Sequence, residues 1–123
     1  MLNKPYNPIL FDSYFRDMFI RVNFFFSLLL NILIWLGIVW QMNNFSESMP
    51  LHYNIYFGID LLGDWYQIFI LPGLGLLFFL INFIAGFVSY HKEKIISYFL
   101  AGTASFCQLI LLVATALIIF INY

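Results

Sequence analysis

The sequence predicts an all-α membrane protein with three transmembrane helices, and three observations carry that reading. Of 123 residues, 63% are hydrophobic and only 9% charged, which is more apolar surface than a soluble domain of this size can bury. The charges are clumped, leaving charge-free runs over residues 22–46, 65–90 and 95–123, each longer than the roughly 20 residues a bilayer-crossing helix needs. The basic residues fall on one side of these runs: Lys4, Arg16 and Arg21 precede the first, none lies between the first and second, and Lys92 and Lys94 lie between the second and third. By the positive-inside rule the N-terminus is cytoplasmic and the C-terminus outside, with the chain a single multi-pass membrane domain, 1–123.

The first element expected is an amphipathic helix over 7–21. Asn7 supplies a capping side chain ahead of Pro8, a residue suited to a first helical turn. At helical spacing Phe11, Tyr14, Phe15, Met18, Phe19 and Val22 share one side, Asp12, Arg16, Asp17 and Arg21 share the other, and Ile20 alone breaks the pattern. The pairs Asp12/Arg16 and Asp17/Arg21 place acid four residues before base, the favourable order. Such a helix is suited to lie on the cytoplasmic leaflet. The first span follows at 22–42; a cleaved signal peptide is not expected, because the apolar run starts late and no small-x-small site follows it.

Residues 43–65 form the outer loop, residues 66–90 the second span and residues 96–121 the third. Each span carries one small-and-polar stripe: Asn23, Ser27, Asn31, Ile34, Ile38 and Gln41 on the first; Gly75, Phe79, Asn82, Gly86 and Ser89 on the second; Ala101, Ser105, Gln108, Leu112 and Thr115 on the third. Membrane helices associate by close approach and interhelical hydrogen bonds, so the stripes are expected to face one another, with Asn31, Asn82 and Gln108 in a shared polar cluster. Pro72 is expected to loosen the outer end of the second span. A wet stripe would instead make a transport path, but no span holds an ionisable residue to relay a proton or neutralise an ion.

Within the loop, Leu51, Tyr53, Ile55 and Phe57 alternate with His52, Asn54 and Tyr56, the pattern of a half-buried strand, here expected to lack a partner inside the loop. Gly58 and Gly63 bracket a turn holding Asp60, and Asp64 and Trp65 lead into the second span. His52 and Asn54, with Asp60 or Asp64 folding back, offer weak nitrogen and oxygen ligands for zinc. The favoured reading is plainer: His52 and Asn54 bond the turn backbone, Asp60 caps it, and no metal or cofactor is called for. No serine or cysteine has an evident base and orienting acid, so catalysis finds no support. His91, Lys92, Glu93 and Lys94 read as a topology-setting turn. A net charge of −1 without a basic cluster argues against nucleic acid, and the lone Cys107 lies in the third apolar run and reads as a small buried hydrophobe.

The ordered set Pro50, His52, Tyr53, Asn54, Gly58, Asp60, Gly63 and Pro72 resembles the membrane family called domain of unknown function 1648, over about residues 35–80. Where many members of that family carry a serine and a basic residue after the second glycine, this chain has Asp64 and Trp65, which argues against an anionic ligand there. The family includes longer proteins similar to an immunity and signalling protein that acts against a bacterial sporulation-delaying toxin, and the three helices here correspond to only part of such a protein. The resemblance implies a bacterial-type plasma (inner) membrane protein in toxin immunity or envelope signalling. The function expected is a non-enzymatic interaction component whose partners are the lipid bilayer and either like subunits or another membrane protein. A small metal- or ligand-binding sensor or membrane enzyme using His52, Asn54 and Asp60, and a transporter subunit, are the alternatives.

Overall fold

The computed structural model describes residues 8–123, apart from the side chains of Pro8, Leu10, Tyr53 and Asp60. The expected Asn7 cap and the topogenic Lys4 lie outside the described residues. In chain order, α1 (Pro8–Arg16) is followed by α2 (Met18–Gln41), by a hairpin of β1 (Ser48–Asn54) and β2 (Gly58–Asp64), and by α3 (Ile70–Ser89) and α4 (Lys94–Ile121). A short 3₁₀ turn follows α2 and another, Trp65–Phe69, feeds α3. Three helical segments, Met18–Asn44, Trp65–Ser89 and Lys94–Ile121, are long and apolar enough to cross a membrane. α4 packs along both α2 and α3, which touch each other less.

The helix expected over 7–21 is broken. Asp17 is extended (φ −64°, ψ 122°), and its Oδ1 accepts from the N–H groups of Phe19 at 3.0 Å and Ile20 at 3.4 Å, so it caps α2. The break changes helical register, which explains Ile20, the residue that spoiled the amphipathic pattern. With the helix restarted, Tyr14 of α1 and Ile20 of α2 are both fully buried in one cluster with Phe79, Phe83, Ala101 and Ala104. The Tyr14 hydroxyl donates to the Phe83 carbonyl at 3.0 Å and so fastens α1 to α3. Of the two expected ion pairs, Asp12–Arg16 forms at 3.2 Å on the exposed side of α1, while Asp17 turns away from Arg21 to other partners.

A second apolar cluster, Ile34, Ile38, Met49 and Ile68, fills the opposite end of the bundle under the hairpin. The stripe residues Ser27, Asn31, Gly75, Phe79, Asn82, Gly86, Ala101, Ser105, Gln108 and Thr115 are all buried between the helices. Pro72 sits in the first turn of α3, where a helix has no intrahelical N–H bond to lose, and the outer end of this span, Trp65–Phe69, is a 3₁₀ turn in place of α-helix.

The expected unpartnered strand is also corrected. Gly58–Asp64 is itself a strand, antiparallel to β1 with Asn54 opposite Gly58 and Ser48 opposite Asp64, and the register shifts around His52. The three-residue connection is built by two devices: Asn54 Oδ1 accepts the N–H of Tyr56 at 2.8 Å, and Gly58 takes φ +75°. Because a side chain is strained in that left-handed region, Gly58→Ala is expected to destabilise the hairpin by about 1 kcal/mol, and Gly58→Asn by less. Amide hydrogen exchange across β1 and β2 reads this directly. Unchanged protection in the alanine variant would refute it.

Candidate functional site

Chemistry-bearing residues gather in three places. The first is the mid-bundle polar layer, where facing positions on α2 and α4 bring long amides against the start of α3. Asn31 Nδ2 donates to the Pro72 carbonyl at 3.0 Å and to Gln108 Oε1 at 3.3 Å, and Gln108 Nε2 donates to the Gly75 carbonyl at 2.7 Å. One turn away, the Ser27 and Ser105 hydroxyls lie 3.0 Å apart, and Ser105 donates to Asn23 Oδ1 at 2.7 Å. Gln108 is fully buried, and the helix backbone itself supplies the acceptors that its amide would otherwise lack in hydrocarbon.

Asn82, expected in this cluster, is not in it. Its Nδ2 donates to the Phe78 carbonyl of its own helix at 2.8 Å. The reason is depth: Asn82 stands seven residues beyond Gly75 on α3, about 10 Å along the axis, and faces the apolar cluster instead.

The second place is the node around Asp17, at the end of the bundle that holds α1 and the α3–α4 turn. Asp17 Oδ2 accepts from the Tyr90 hydroxyl at 2.9 Å and the Tyr98 hydroxyl at 2.5 Å, and Lys94 Nζ lies 3.3 Å away. Burial opposes charge on this carboxyl, but the hydrogen bonds from Tyr98, Tyr90, the Ile20 backbone and Lys94 outweigh it and hold its pKa down at about 2. One carboxylate therefore caps α2 and ties it to α4 and to the α3–α4 turn. Beside it, burial pushes the Tyr14 hydroxyl up to about 12, so it stays a donor to Phe83. Sequence reading placed Asp17 on a solvated face. The signal that finds it is an acid directly before a long apolar run, which is also an N-cap signature.

The third place is the hairpin, where most of the candidate residues sit. The Pro50 carbonyl accepts from Asn122 Nδ2 at 2.8 Å, so the end of α4 covers the outer edge of β1. His52 is exposed on β1, with Leu61 opposite it. Asn54 bonds the turn backbone, as described. Gly58 closes the turn, and Gly63 lies opposite Met49, leaving room that the side chains of Leu51 and Gln67 fill. Pro72 belongs to the polar layer through its carbonyl. The Tyr53 and Asp60 side chains lie outside the described residues. Asp64 accepts from the Tyr66 hydroxyl at 2.8 Å. Among the described residues no group of three or more His, Cys, Asp or Glu gathers closely enough to hold a metal ion.

Sequence reading missed the hairpin's tip. Ile55, Tyr56 and Phe57 are 82%, 85% and 83% exposed, and Leu62 on β2 is 64% exposed. An asparagine and a glycine bracketing three residues between two strand-like runs is the hairpin signal that points to it. Comparison of the chain with protein-family models, with curated proteins and with solved structures finds no match.

Proposed function

We propose that this protein is a non-enzymatic, multi-pass component of a plasma membrane that assembles with itself or with another membrane protein through its hairpin end. The N-terminus, α1 and the α3–α4 turn lie on the cytoplasmic side, and the hairpin and the end of α4 face outward, a reading that the distribution of lysine and arginine supports. α1 rests at the cytoplasmic interface, with Phe11 and Phe15 toward lipid and the Asp12–Arg16 pair toward water. The resemblance to domain of unknown function 1648 supports a role in toxin immunity or envelope signalling.

The observation that carries the reading is where recognition capacity is left over. The amides and hydroxyls of the mid-bundle layer bond other helices, and α4 covers the outer edge of β1. β2 is paired only with β1 among the described residues, and it presents Ile59, Leu61 and Leu62, each about half exposed or more. An open strand edge flanked by apolar side chains is suited to another chain.

A photo-crosslinking residue at Leu62, activated in native membranes, is expected to give a discrete adduct whose partner mass spectrometry identifies. If position 62 gives no adduct and the purified protein runs as a monomer in several mild detergents, the proposal fails.

A further inference from the structure

We infer that one anionic phospholipid binds between α1, α2 and α3, with an acyl chain in an aromatic slot and its phosphate on Arg21. The slot follows from how the bundle packs. α4 lies along both α2 and α3, which touch each other less, so a cleft remains between those two that no residue of α4 lines. α1 bridges it: Phe15 packs on Phe24 of α2 with ring centroids 6.4 Å apart, and Phe11 on Phe87 of α3 at 5.8 Å. The slot that is left has apolar walls throughout. Phe79 and Phe83 are buried at its floor, and Leu80 and Ile84 are exposed at its rim. From Phe79 to Phe87 it runs ~12 Å along a helix long and apolar enough to cross a membrane, most of the ~15 Å in half a bilayer's hydrocarbon core.

Its dimensions select the occupant. A volume of about 290 Å³ drawn out over ~12 Å leaves a mean cross-section of about 24 Å², whereas a helix 10–12 Å across needs roughly 80 Å² or more. The slot therefore takes a single hydrocarbon chain and not a helix of another protein.

Arg21 supplies the charge. The acid four residues before it, Asp17, caps α2 and bonds Tyr90, Tyr98 and Lys94, which leaves Arg21 exposed and without an ionic partner among the described residues. It stands three residues before Phe24 on the same helix face, with Cβ atoms ~5–6 Å apart, and so at the α1 end of the slot. A guanidinium there meets the phosphate level of the leaflet and takes a phosphate with two parallel hydrogen bonds. The acids of α1 and of the α2 cap are already engaged, Asp12 with Arg16 and Asp17 with Lys94. Neither is left to hold the ammonium of a zwitterionic headgroup, and a net negative lipid is preferred.

The site lies at the opposite end of the bundle from the hairpin, so it stands or falls apart from the assembly proposed above.

The test is native mass spectrometry of the full chain released from nanodiscs of equimolar phosphatidylglycerol and phosphatidylcholine. One phosphatidylglycerol is expected to stay on each chain, preferred over phosphatidylcholine about fivefold, the contribution of one basic residue beside an anionic surface. Arg21→Gln is expected to level that preference. Lys92→Gln, which removes an equal charge outside the slot, is expected to leave it. Ile84→Trp fills the slot from its exposed rim and is expected to lose both lipids with Arg21 still in place. Equal retention of the two lipids by the parent, an equal loss in Lys92→Gln and Arg21→Gln, or undiminished retention in Ile84→Trp each overturns the inference.

Discussion

Gly75→Leu is expected to cost about 3 kcal/mol of bundle stability, the upper part of the range for forcing a large side chain into a packed interior. Even a Cβ at Gly75 would stand 2.8 Å from Asn31 Nδ2, 2.8 Å from Gln108 Oε1 and 3.1 Å from Leu111 Cδ1. The first two atoms belong to the amides that join α2 to α4, and they can give way only by straining the 3.3 Å bond between them, the 3.0 Å bond to the Pro72 carbonyl or the 2.7 Å bond to the Gly75 carbonyl. Each such bond contributes on the order of 0.6 kcal/mol in a membrane bundle, so the larger part of the loss is steric. Gly75→Ala should cost less, and pairing it with Gln108→Leu should change its cost, because Gln108 supplies one of the colliding atoms. Unfolding midpoints in mixed micelles report all three variants. A Gly75→Leu protein as stable as the parent would refute the proposed close approach.

Asp17→Ala is expected to cost about 2–3 kcal/mol, the sum of a lost helix cap near 1 kcal/mol and hydrogen bonds to a charged acceptor. Asp17→Asn keeps much of the cap and isolates the charge. The sign with pH is fixed by the depressed carboxyl: at about 2 in the folded protein against an ordinary 3.8, Asp17 stabilises fully above pH 4. That stability drains away as pH falls from about 4 through 2 and is lost below the folded value, where both states are protonated. The amount at stake is at most about 2 kcal/mol; Lys94 is half exposed, so the ion pair is screened and the tyrosine hydroxyls supply most of it. Stability measured between pH 5 and 2 should fall more steeply for the parent than for Asp17→Asn. Parallel curves would remove Asp17 from the account.

How far the sequence could be read depended on the range of each interaction. The three spans are written in local composition, and the stripes in helical period, so residues as far apart as Asn31, Gly75 and Gln108 could be assigned to one interior. Whether two stripe residues actually meet depends on the axial offset between helices, which no single-helix pattern contains. Asn82 shares the stripe of α3 and still lies too deep for the Asn31–Gln108 bond. At Asp17 two local rules competed. The i to i+4 charge pattern argued for a continuous helix, and capping of the apolar run argued for a break. Capping won, because two tyrosines and a lysine from distant positions reward the carboxylate for staying there. In the hairpin, alternation found Leu51 to Asn54 of β1 but carried the strand on through Ile55, Tyr56 and Phe57, which form the turn, and it missed β2, whose Gly58-Ile59-Asp60-Leu61-Leu62-Gly63 sequence looks like a turn until β1 is laid beside it.

The tie between Asn122 and the Pro50 carbonyl also orders events during synthesis at the ribosome. When α2, the hairpin and α3 have emerged, the two spans touch each other little, the edge of β1 is bare, and Asn31 still lacks Gln108. α4 is translated after them, yet it holds the partner for each of these. The three-helix bundle therefore closes, from its middle to the hairpin, only once α4 has joined it. Until then the Asn31 amide has the Pro72 carbonyl of α3 but not Gln108 to bond. This is the interval in which a chaperone or a quality-control protease has its clearest opportunity to act on this chain.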